Sequence, residues 1–133
     1  MSENQEAGAY FGKARESLAG AESEYANGRF NNVANRAYYA AFQAAIAALL
    51  FESIRAADEH WSHSFVQSEF AGKLIHRRRR YHSSSQDALA RLETLRLQAD
   101  YRGDTISRTE AGRGLRRSRD FVEAILMKRG DRQ

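Results

Sequence analysis

The sequence predicts an all-α domain, built as an antiparallel bundle of about five helices. Apolar residues recur at spacings of three and four in five separate segments, which is the period of a helix that buries one face. The 133 residues include no proline, so the residue that most often breaks a helix is missing. No segment alternates apolar and polar residues as a half-buried strand does, and the length suits one domain.

The composition is that of a globular protein, with 42% hydrophobic and 29% charged residues. The absence of cysteine excludes disulfides and thiolate metal sites. A net charge of +4 is compatible with an acidic or nucleic-acid partner without establishing one. The N-terminal residues lack a basic start followed by an apolar run, so we expect no secretion signal, a cytoplasmic location and no membrane association.

The most apolar segment, residues 34–51, is predicted to be the central helix. After its first three residues, Gln43 is the one polar side chain in fifteen positions. The run is too short and too rich in alanine for a membrane span, which needs about 20 strongly apolar residues. A helix that is apolar nearly all round is buried on more than one side. The face that includes Tyr39, Ile46 and Leu50 therefore needs a cover, either another helix of the chain or a second copy of the protein.

The segment before the central helix has its own start and stop signals. Residues 1–9 are expected to be a disordered leader. A first helix is expected from Tyr10 until Gly28 stops it in the left-handed conformation that glycine tolerates. Asn31 or Asn32 can then cap the central helix, and the short connection makes the two helices antiparallel neighbours.

Three further helices follow, and the five together define a domain over residues 10–127. The third is expected to run from Ser64 into a basic stretch, and the fourth begins after a serine-rich break. Ser107 and Glu110 have the spacing of a capping box that opens the last helix. Residues 128–133 are expected to be a loose tail.

Four consecutive arginines at the end of the third helix form a candidate nucleic-acid patch. They spread around the helix, and Arg116, Arg117 and Arg119 would extend the patch if the fold brings them near. A solvated helix end, where positive charge suits the helix dipole, also explains the run, and an acidic protein partner is a third interpretation. The four residues of this patch are Arg77, Arg78, Arg79 and Arg80.

The four histidines do not have the spacing of a metal-binding helix, so we expect no metal and no cofactor. His63 stands just before the third helix, where a structural role as a cap or loop residue competes with ligand binding. Arg77 and His82 have an R-x4-H spacing, but a run of four arginines makes such a match easy to obtain by chance.

A polar group at the end of the fourth helix is a candidate phosphate site. Arg96 and Asp100 are spaced i, i+4, so they share a helix face and can form an ion pair. The pair can be purely structural, with Tyr101 packed in the core. Alternatively, Arg96 holds a phosphate group and Tyr101 donates a hydrogen bond to the ligand.

Four pieces of the sequence, in this order, resemble the HEPN family. They are the stretch NRAYYAAFQAAIAALL, a histidine before a phenylalanine-containing helix in HSFVQSEF, the segment LRLQADY, and an IS-x-x-EA start followed by DFVEAIL. The similarity covers roughly residues 10–127. It is strongest to small stand-alone prokaryotic HEPN proteins, which are related to the HEPN proteins of toxin–antitoxin systems.

The resemblance implies an antiparallel bundle that dimerises. Many HEPN proteins are metal-independent ribonucleases with an R-x(4–6)-H motif at the dimer interface, and some pair with a minimal nucleotidyltransferase. Here Tyr101 follows Arg96 where that motif has its histidine. A phenol is a poor base at neutral pH because its unperturbed pKa is about 10. His63 or His82 can replace the missing imidazole only if the fold brings one of them close.

The resemblance leads us to expect a non-catalytic HEPN module that forms a homodimer through the central and fourth helices. It would bind RNA, a nucleotide or a nucleotidyltransferase-type partner in a toxin–antitoxin, stress or defence setting. A metal-independent ribonuclease toxin and a plain dimeric scaffold are the alternatives, so enzymatic activity stays open. The candidate catalytic residues are Arg96 and Tyr101, and the candidate nucleotide- or phosphate-binding residues are Asn35, Tyr38, His63, Arg96 and Asp100.

Overall fold

The computed structural model describes residues 2–58, 60–101, 103 and 105–131, and this described part is helical without a strand. A π-helix, Phe70–Arg77, directly continues the third α-helix. The predicted all-α bundle of five helices is confirmed. The α-helices are α1 (Glu3–Ala26), α2 (Phe30–Phe51), α3 (His63–Glu69), α4 (Ser84–Tyr101) and α5 (Arg108–Asp131).

The centre of the bundle is α2, which packs against α1, α4 and α5. Ile46 and Leu50 lie on the face of α2 that was expected to be covered either by another helix or by a second copy of the protein. Both are buried by helices of the same chain. Tyr39 and Gln43, nearer the start of the helix, are half-buried. Although α2 is strongly apolar, no helix in the described part of the chain is long and apolar enough to span a bilayer.

The first helix begins earlier than its apolar pattern predicts. Ser2 and Gln5 form a capping box, in which Ser2 N–H donates to Gln5 Oε1 at 2.8 Å and Gln5 N–H donates to Ser2 Oγ at 3.1 Å. Ala7 is fully buried in the core. The prediction of a disordered leader is therefore wrong for residues 3–9, and Met1 lies outside the described residues.

The turn between α1 and α2 confirms one prediction and corrects another. Gly28 has a φ of +74°, in the left-handed region where glycine has no steric cost. Neither Asn31 nor Asn32 caps α2, because the helix starts at Phe30 and has no side-chain cap. Asn31 Oδ1 instead accepts a hydrogen bond from the backbone N–H of Ile106 at 2.9 Å, which ties the start of α2 to the loop before α5.

The last helix starts at the predicted capping box. Ser107 N–H donates to Glu110 Oε1 at 3.0 Å, and Glu110 N–H donates to Ser107 Oγ at 3.1 Å. Ser118, fully buried in the middle of α5, donates through Oγ to the carbonyl oxygen of Ala37 in α2 at 2.7 Å. The helix continues to Asp131, so the predicted loose tail is wrong for residues 128–131, and residues 132–133 lie outside the described part.

The third helix positions the candidate histidine. Ser62 caps α3 by accepting a hydrogen bond from Phe65 N–H at 3.1 Å, so His63, and not Ser64, is the first helical residue. Val66 and Phe70 are fully buried beneath it. Because the cap fixes this helix against α2, the His63 side chain lies beside the tyrosines of α2.

Candidate functional site

Arg96, Asp100 and Asn35 form one hydrogen-bonded chain between α4 and α2. Arg96 Nη1 donates to Asp100 Oδ2 at 3.1 Å, and Asn35 Nδ2 donates to Asp100 Oδ1 at 2.7 Å. The Arg96 side chain is 13% exposed and that of Asp100 28%, so the arginine is mostly buried while the carboxylate reaches solvent. The structure thus brings together three of the residues that the sequence proposed for a phosphate site.

Two tyrosines of α2 hold the Arg96 guanidinium. Its central carbon lies 5.1 Å from the centroid of the Tyr38 ring and 5.9 Å from that of the Tyr39 ring, within the range of a cation–π contact. Arg96 Nε is buried and has no hydrogen-bond partner among the described residues. Asn35 and Tyr39 also line an open polar cavity of about 410 Å³, which reaches the cluster from outside.

His63 belongs to the same cluster, which no spacing in the sequence predicts. Its ring stacks on Phe42 at a centroid distance of 4.7 Å and on Tyr38 at 5.4 Å. The Tyr38 hydroxyl is hydrogen-bonded to His63 Nδ1. The chain therefore places an imidazole from α3 against the same two tyrosines that hold Arg96, where the resemblance expects one from the end of α4.

The hydrogen bond to Tyr38 determines what His63 can do chemically. Burial raises the pKa of Tyr38 well above its usual value, and the nearby Glu93 carboxylate adds to this rise. The phenol therefore keeps its proton at neutral pH. Its hydroxyl donates to His63 Nδ1 in one tautomer of the imidazole and accepts from Nδ1–H in the other. In the first tautomer His63 can donate to a ligand through Nε2 and its basic nitrogen is occupied, whereas in the second Nε2 is the basic nitrogen.

Tyr101 lies at the surface, at the end of α4. Its side chain is 78% exposed, so the interpretation that it packs in the core is wrong. The expectation that Tyr101 lines a pocket with Arg96 stays a prediction. Leu97, one turn earlier on α4, is also exposed, at 41%. The two side chains form an exposed apolar strip next to the Arg96 cluster.

The run of four arginines is exposed, but it is not one helical patch. Only Arg77 lies in the π-helix, and Arg79 has a φ of +51°, so the chain turns within the run. Arg78 and Arg80 both pair with Glu52, at 3.5 Å and 2.8 Å. Half of the predicted nucleic-acid patch is thus used to attach this turn to the end of α2.

A larger basic surface lies next to the run, in a groove of about 590 Å³ between the start of α4 and the outer face of α5. We call it the basic groove. Arg116 and Arg117 line it as the sequence suggested, whereas Arg119 points elsewhere and lies 3.8 Å from Glu22. The charged side chains of the basic groove are Arg80, Arg91, Arg113, Arg116, Arg117, Lys128, Asp87 and Asp120.

The basic groove holds a surplus of positive charge. Six cations face two carboxylates there, which gives a surplus of four, equal to the net charge of the whole chain. Within the described residues, no carboxylate makes an ion pair with Arg91, Arg116 or Arg117. A concave surface lined by one sign of charge concentrates ligands of the opposite sign.

The sequence contains a helical pattern of charged residues that predicts this groove. The sequence analysis considered only the run of four arginines, residues 77–80, and missed this pattern. On α5, Arg113, Arg117, Asp120 and Lys128 recur at multiples of a helical turn and mark one polar face. On α4, Asp87 and Arg91 are likewise one helical turn apart.

No group of three or more His, Asp or Glu side chains in the described part of the chain is arranged to hold a metal ion.

The helical bundle makes this chain a small all-α domain. Its fourth helix carries a mostly buried arginine, Arg96, at the centre of the cluster. The pattern of the HEPN domain family matches residues 7–129, nearly the whole chain. The chain therefore belongs to the HEPN family. The comparison with curated proteins gives no match.

Proposed function

We propose that this HEPN protein binds the phosphate groups of RNA or nucleotides through the basic groove and does not cleave RNA. HEPN domains are often linked to ribonuclease or nucleotide-binding activity, which makes phosphate-bearing ligands the class to consider. The observation that supports the groove as the binding surface is its surplus of four positive charges on a concave surface.

The chemistry of the groove suits phosphate oxygens. Arginine guanidinium groups donate paired hydrogen bonds to phosphate, and five of the six cations are arginines. The arginines come from two helices and the preceding loop, so a ligand that spans the groove contacts several of them at once. Each phosphate that is neutralised releases counterions, which supplies much of the free energy of nucleic-acid binding.

The Arg96 cluster supports the absence of cleavage. Asp100 already neutralises Arg96, and the Glu93 carboxylate is close enough to act on Tyr38, so the cluster does not attract a phosphate as the groove does. In this proposal the Tyr38 hydroxyl donates to Nδ1 of His63 and so occupies its basic nitrogen. A general base must have a free lone pair within reach of the proton that it removes. In this proposal Arg96 stabilises the packing of α4 on α2.

A charge-reversal pair tests the proposal. Arg116 lies in the groove and is exposed, whereas Arg15 is exposed on α1 outside it. Both R116E and R15E lower the net charge by two, so general electrostatics changes equally. We expect R116E to weaken the binding of a fluorescein-labelled single-stranded RNA about tenfold or more, and R15E to leave it nearly unchanged. Equal effects of the two variants would contradict a groove-specific site.

A metal-independent ribonuclease is the second candidate function, because His63 and Arg96 contact the same two tyrosines, Tyr38 and Tyr39. A ligand that enters beside Asn35 and breaks the Tyr38 hydrogen bond would free the imidazole. Under this alternative, RNA is cut in the presence of EDTA, and R96A and H63A each abolish the cut while Y101F does not. Cleavage that survives R96A would point to a contaminating nuclease and would remove this alternative.

A homodimer and a protein partner are part of the proposal. The exposed strip of Leu97 and Tyr101 lies beside the Arg96 cluster, and a second copy can cover it. We propose α4 as the main part of the interface, because most of α2 is covered within the chain whereas Leu97 and Tyr101 of α4 are exposed. A toxin–antitoxin, stress or defence setting, with a nucleotidyltransferase-type partner, follows from the resemblance. A dimeric scaffold without a ligand is the outcome if neither RNA nor nucleotide binds.

A further inference from the structure

One carboxylate at the end of α2 contacts two arginines of the turn that follows the π-helix. Glu52 Oε1 lies 2.8 Å from Arg80 Nε, and Glu52 Oε2 lies 3.5 Å from Arg78 Nη1. Arg78 Nη1 also donates to the carbonyl oxygen of Glu52 at 3.1 Å. The Glu52 side chain is only 9% exposed, whereas the Arg80 side chain is 45% exposed. A nearly buried carboxylate is therefore paired with an arginine that reaches the surface.

The backbone beside this contact is fixed by the ends of two helices. Ser53, directly after Glu52, has a φ of +61°, and Arg79 has a φ of +51°. A left-handed residue commonly ends a helix, and glycine is the usual choice because a side chain makes the conformation costly. The backbone N–H of Arg80 donates to the carbonyl oxygen of Leu74 in the π-helix at 2.7 Å. Two non-glycine residues thus hold a costly conformation where the carboxylate meets the arginines, which requires well-determined surroundings.

The turn is anchored on both sides of Arg80. The Tyr81 ring, directly after it, stacks on Phe70 at a centroid distance of 5.1 Å, and Phe70 is fully buried. Arg78, on the other side, attaches the turn to the end of α2. Of the four arginines in the run 77–80, Arg80 is the one that lines the basic groove. The fold therefore brings one arginine of the run to the groove and restrains the chain around it.

A restrained arginine is a better ligand for phosphate than a freely moving one. An exposed arginine has many side-chain conformations, and a ligand that immobilises it must offset the lost entropy. Glu52 already restricts Arg80 in the free protein, so a phosphate group that binds there loses less entropy. The negative charge of Glu52 acts in the opposite direction. Counted with the groove, however, it is a third carboxylate against six cations, so a surplus of three positive charges remains.

We propose that Glu52 is a positioning residue of the basic groove, which holds the Arg80 guanidinium at the edge of the groove where it meets the phosphates of a bound ligand. This rests on the proposed function, because it takes the groove as the phosphate-binding surface, and it adds a residue that determines how strongly the groove binds. Glu52 itself does not touch the ligand. Its removal should therefore weaken binding even though the protein becomes more positive.

The test removes a carboxylate at two places with the same change in charge. E52L removes the group that holds Arg80, and E22L removes the carboxylate that lies 3.8 Å from Arg119, away from the groove. Both variants raise the net charge by one, so general electrostatics predicts tighter RNA binding by both. We expect E52L to bind a fluorescein-labelled single-stranded RNA about two- to tenfold more weakly than wild type, the range for immobilising one long side chain. E22L should bind at least as tightly as wild type.

A cycle with R80A shows whether the effect of Glu52 passes through Arg80. In the R80A background E52L should cause no further loss of affinity, because the side chain that Glu52 positions is absent. Equal weakening by E52L in both backgrounds would show that Glu52 acts on the fold as a whole, and it would overturn the positioning role. Unchanged or tighter binding by E52L would also overturn it, since Glu52 would then do no more than reduce the charge of the groove.

A second variant covers the case in which E52L does not give the native circular dichroism spectrum. E52Q has the size of glutamate and the same change in charge as E52L. An amide is a weaker partner for a guanidinium than a carboxylate is, so E52Q should also weaken RNA binding, and R80A should remove this effect. Binding by E52Q as tight as that of wild type, or tighter, would overturn the positioning role.

The wild type and R116E separate this role from the proposed function. If wild type does not bind RNA, or if R116E binds it as tightly as wild type, the groove is not the binding surface and both proposals fail. If R116E weakens binding and the variants of Glu52 do not, the groove binds phosphate without help from Glu52, and only the positioning role fails.

Discussion

The Tyr38 hydroxyl is hydrogen-bonded to Nδ1 of His63, and this contact joins α3 to the tyrosines of α2 that hold Arg96. The phenol is fully buried, so it needs a hydrogen-bond partner, and the imidazole is one. In the proposed state, in which the hydroxyl is the donor, the bond uses the basic nitrogen of His63 and a catalytic arrangement requires the bond to break.

The buried phenol makes stability depend on alkaline pH. The pKa of Tyr38 is raised in the folded state, mainly by burial, so above about pH 10 the unfolded chain loses this proton while the folded chain keeps it. The folded state then binds more protons, and the free energy of unfolding falls as pH rises, by up to about 1.4 kcal/mol per pH unit. Urea midpoints measured from about pH 9 to about pH 11 should show this loss in wild type. Y38F should lack it, and Y101F should retain it; equal slopes in Y38F and wild type would contradict the assignment.

The ion pair between Arg96 and Asp100 should contribute measurably to stability. A double-mutant cycle of R96A and D100A is expected to give a coupling energy of about 1 kcal/mol, because the pair is mostly shielded from solvent. Lys73 and Glu69 form an i, i+4 pair at 2.9 Å that is more exposed, and they provide the matched control. Their coupling should be about 0.3–0.5 kcal/mol. A coupling at Arg96 no larger than this would show that the pair is an ordinary surface contact.

The salt dependence of RNA binding should report the contacts of the groove. For single-stranded nucleic acid, the slope of log K against log salt concentration is about −0.7 for each phosphate that is neutralised. We expect R113E and R116E each to reduce the magnitude of this slope by about 0.7 or more, and R15E to leave it unchanged. Slopes that do not distinguish groove variants from R15E would place the RNA elsewhere on the surface.

The exposed strip on α4 should form the dimer interface. L97D introduces a charge into the strip, where burial against a second copy would be costly, and it should shift the protein from dimer to monomer in sedimentation equilibrium. Met127, 72% exposed on α5, gives the control variant M127D, which should remain dimeric. A wild type that is monomeric at the same concentration, or a dimeric L97D, would rule out this interface.

The sequence predicted the architecture because each helix has a local cause. The apolar period, Gly28 and the Ser107–Glu110 capping box all act within a few residues, and the structure shows each of them in place. The start of α1 was missed because its first turn is polar. Its capping box of Ser2 and Gln5, together with the small residue Ala7, is a weaker signal than an apolar stripe.

The candidate site was only partly predictable because its contacts join distant segments. The i, i+4 spacing predicted the pair of Arg96 and Asp100, and the structure contains it. The approach of His63 to Tyr38 depends on how α3 docks on α2, which spacing alone does not encode. The core position considered for Tyr101 was wrong because a tyrosine at the end of a helix is as readily exposed as buried.

The most direct test of the account follows binding and integrity of RNA in one sample. A labelled single-stranded RNA is mixed with the protein in EDTA, its anisotropy is recorded, and the same sample is then run on a denaturing gel. The account predicts RNA that is bound and intact with wild type, and unbound and intact with R116E. The proposal of binding without cleavage would be contradicted if wild type and Y101F cleave the RNA while R96A leaves it intact. That result would identify the protein as a ribonuclease.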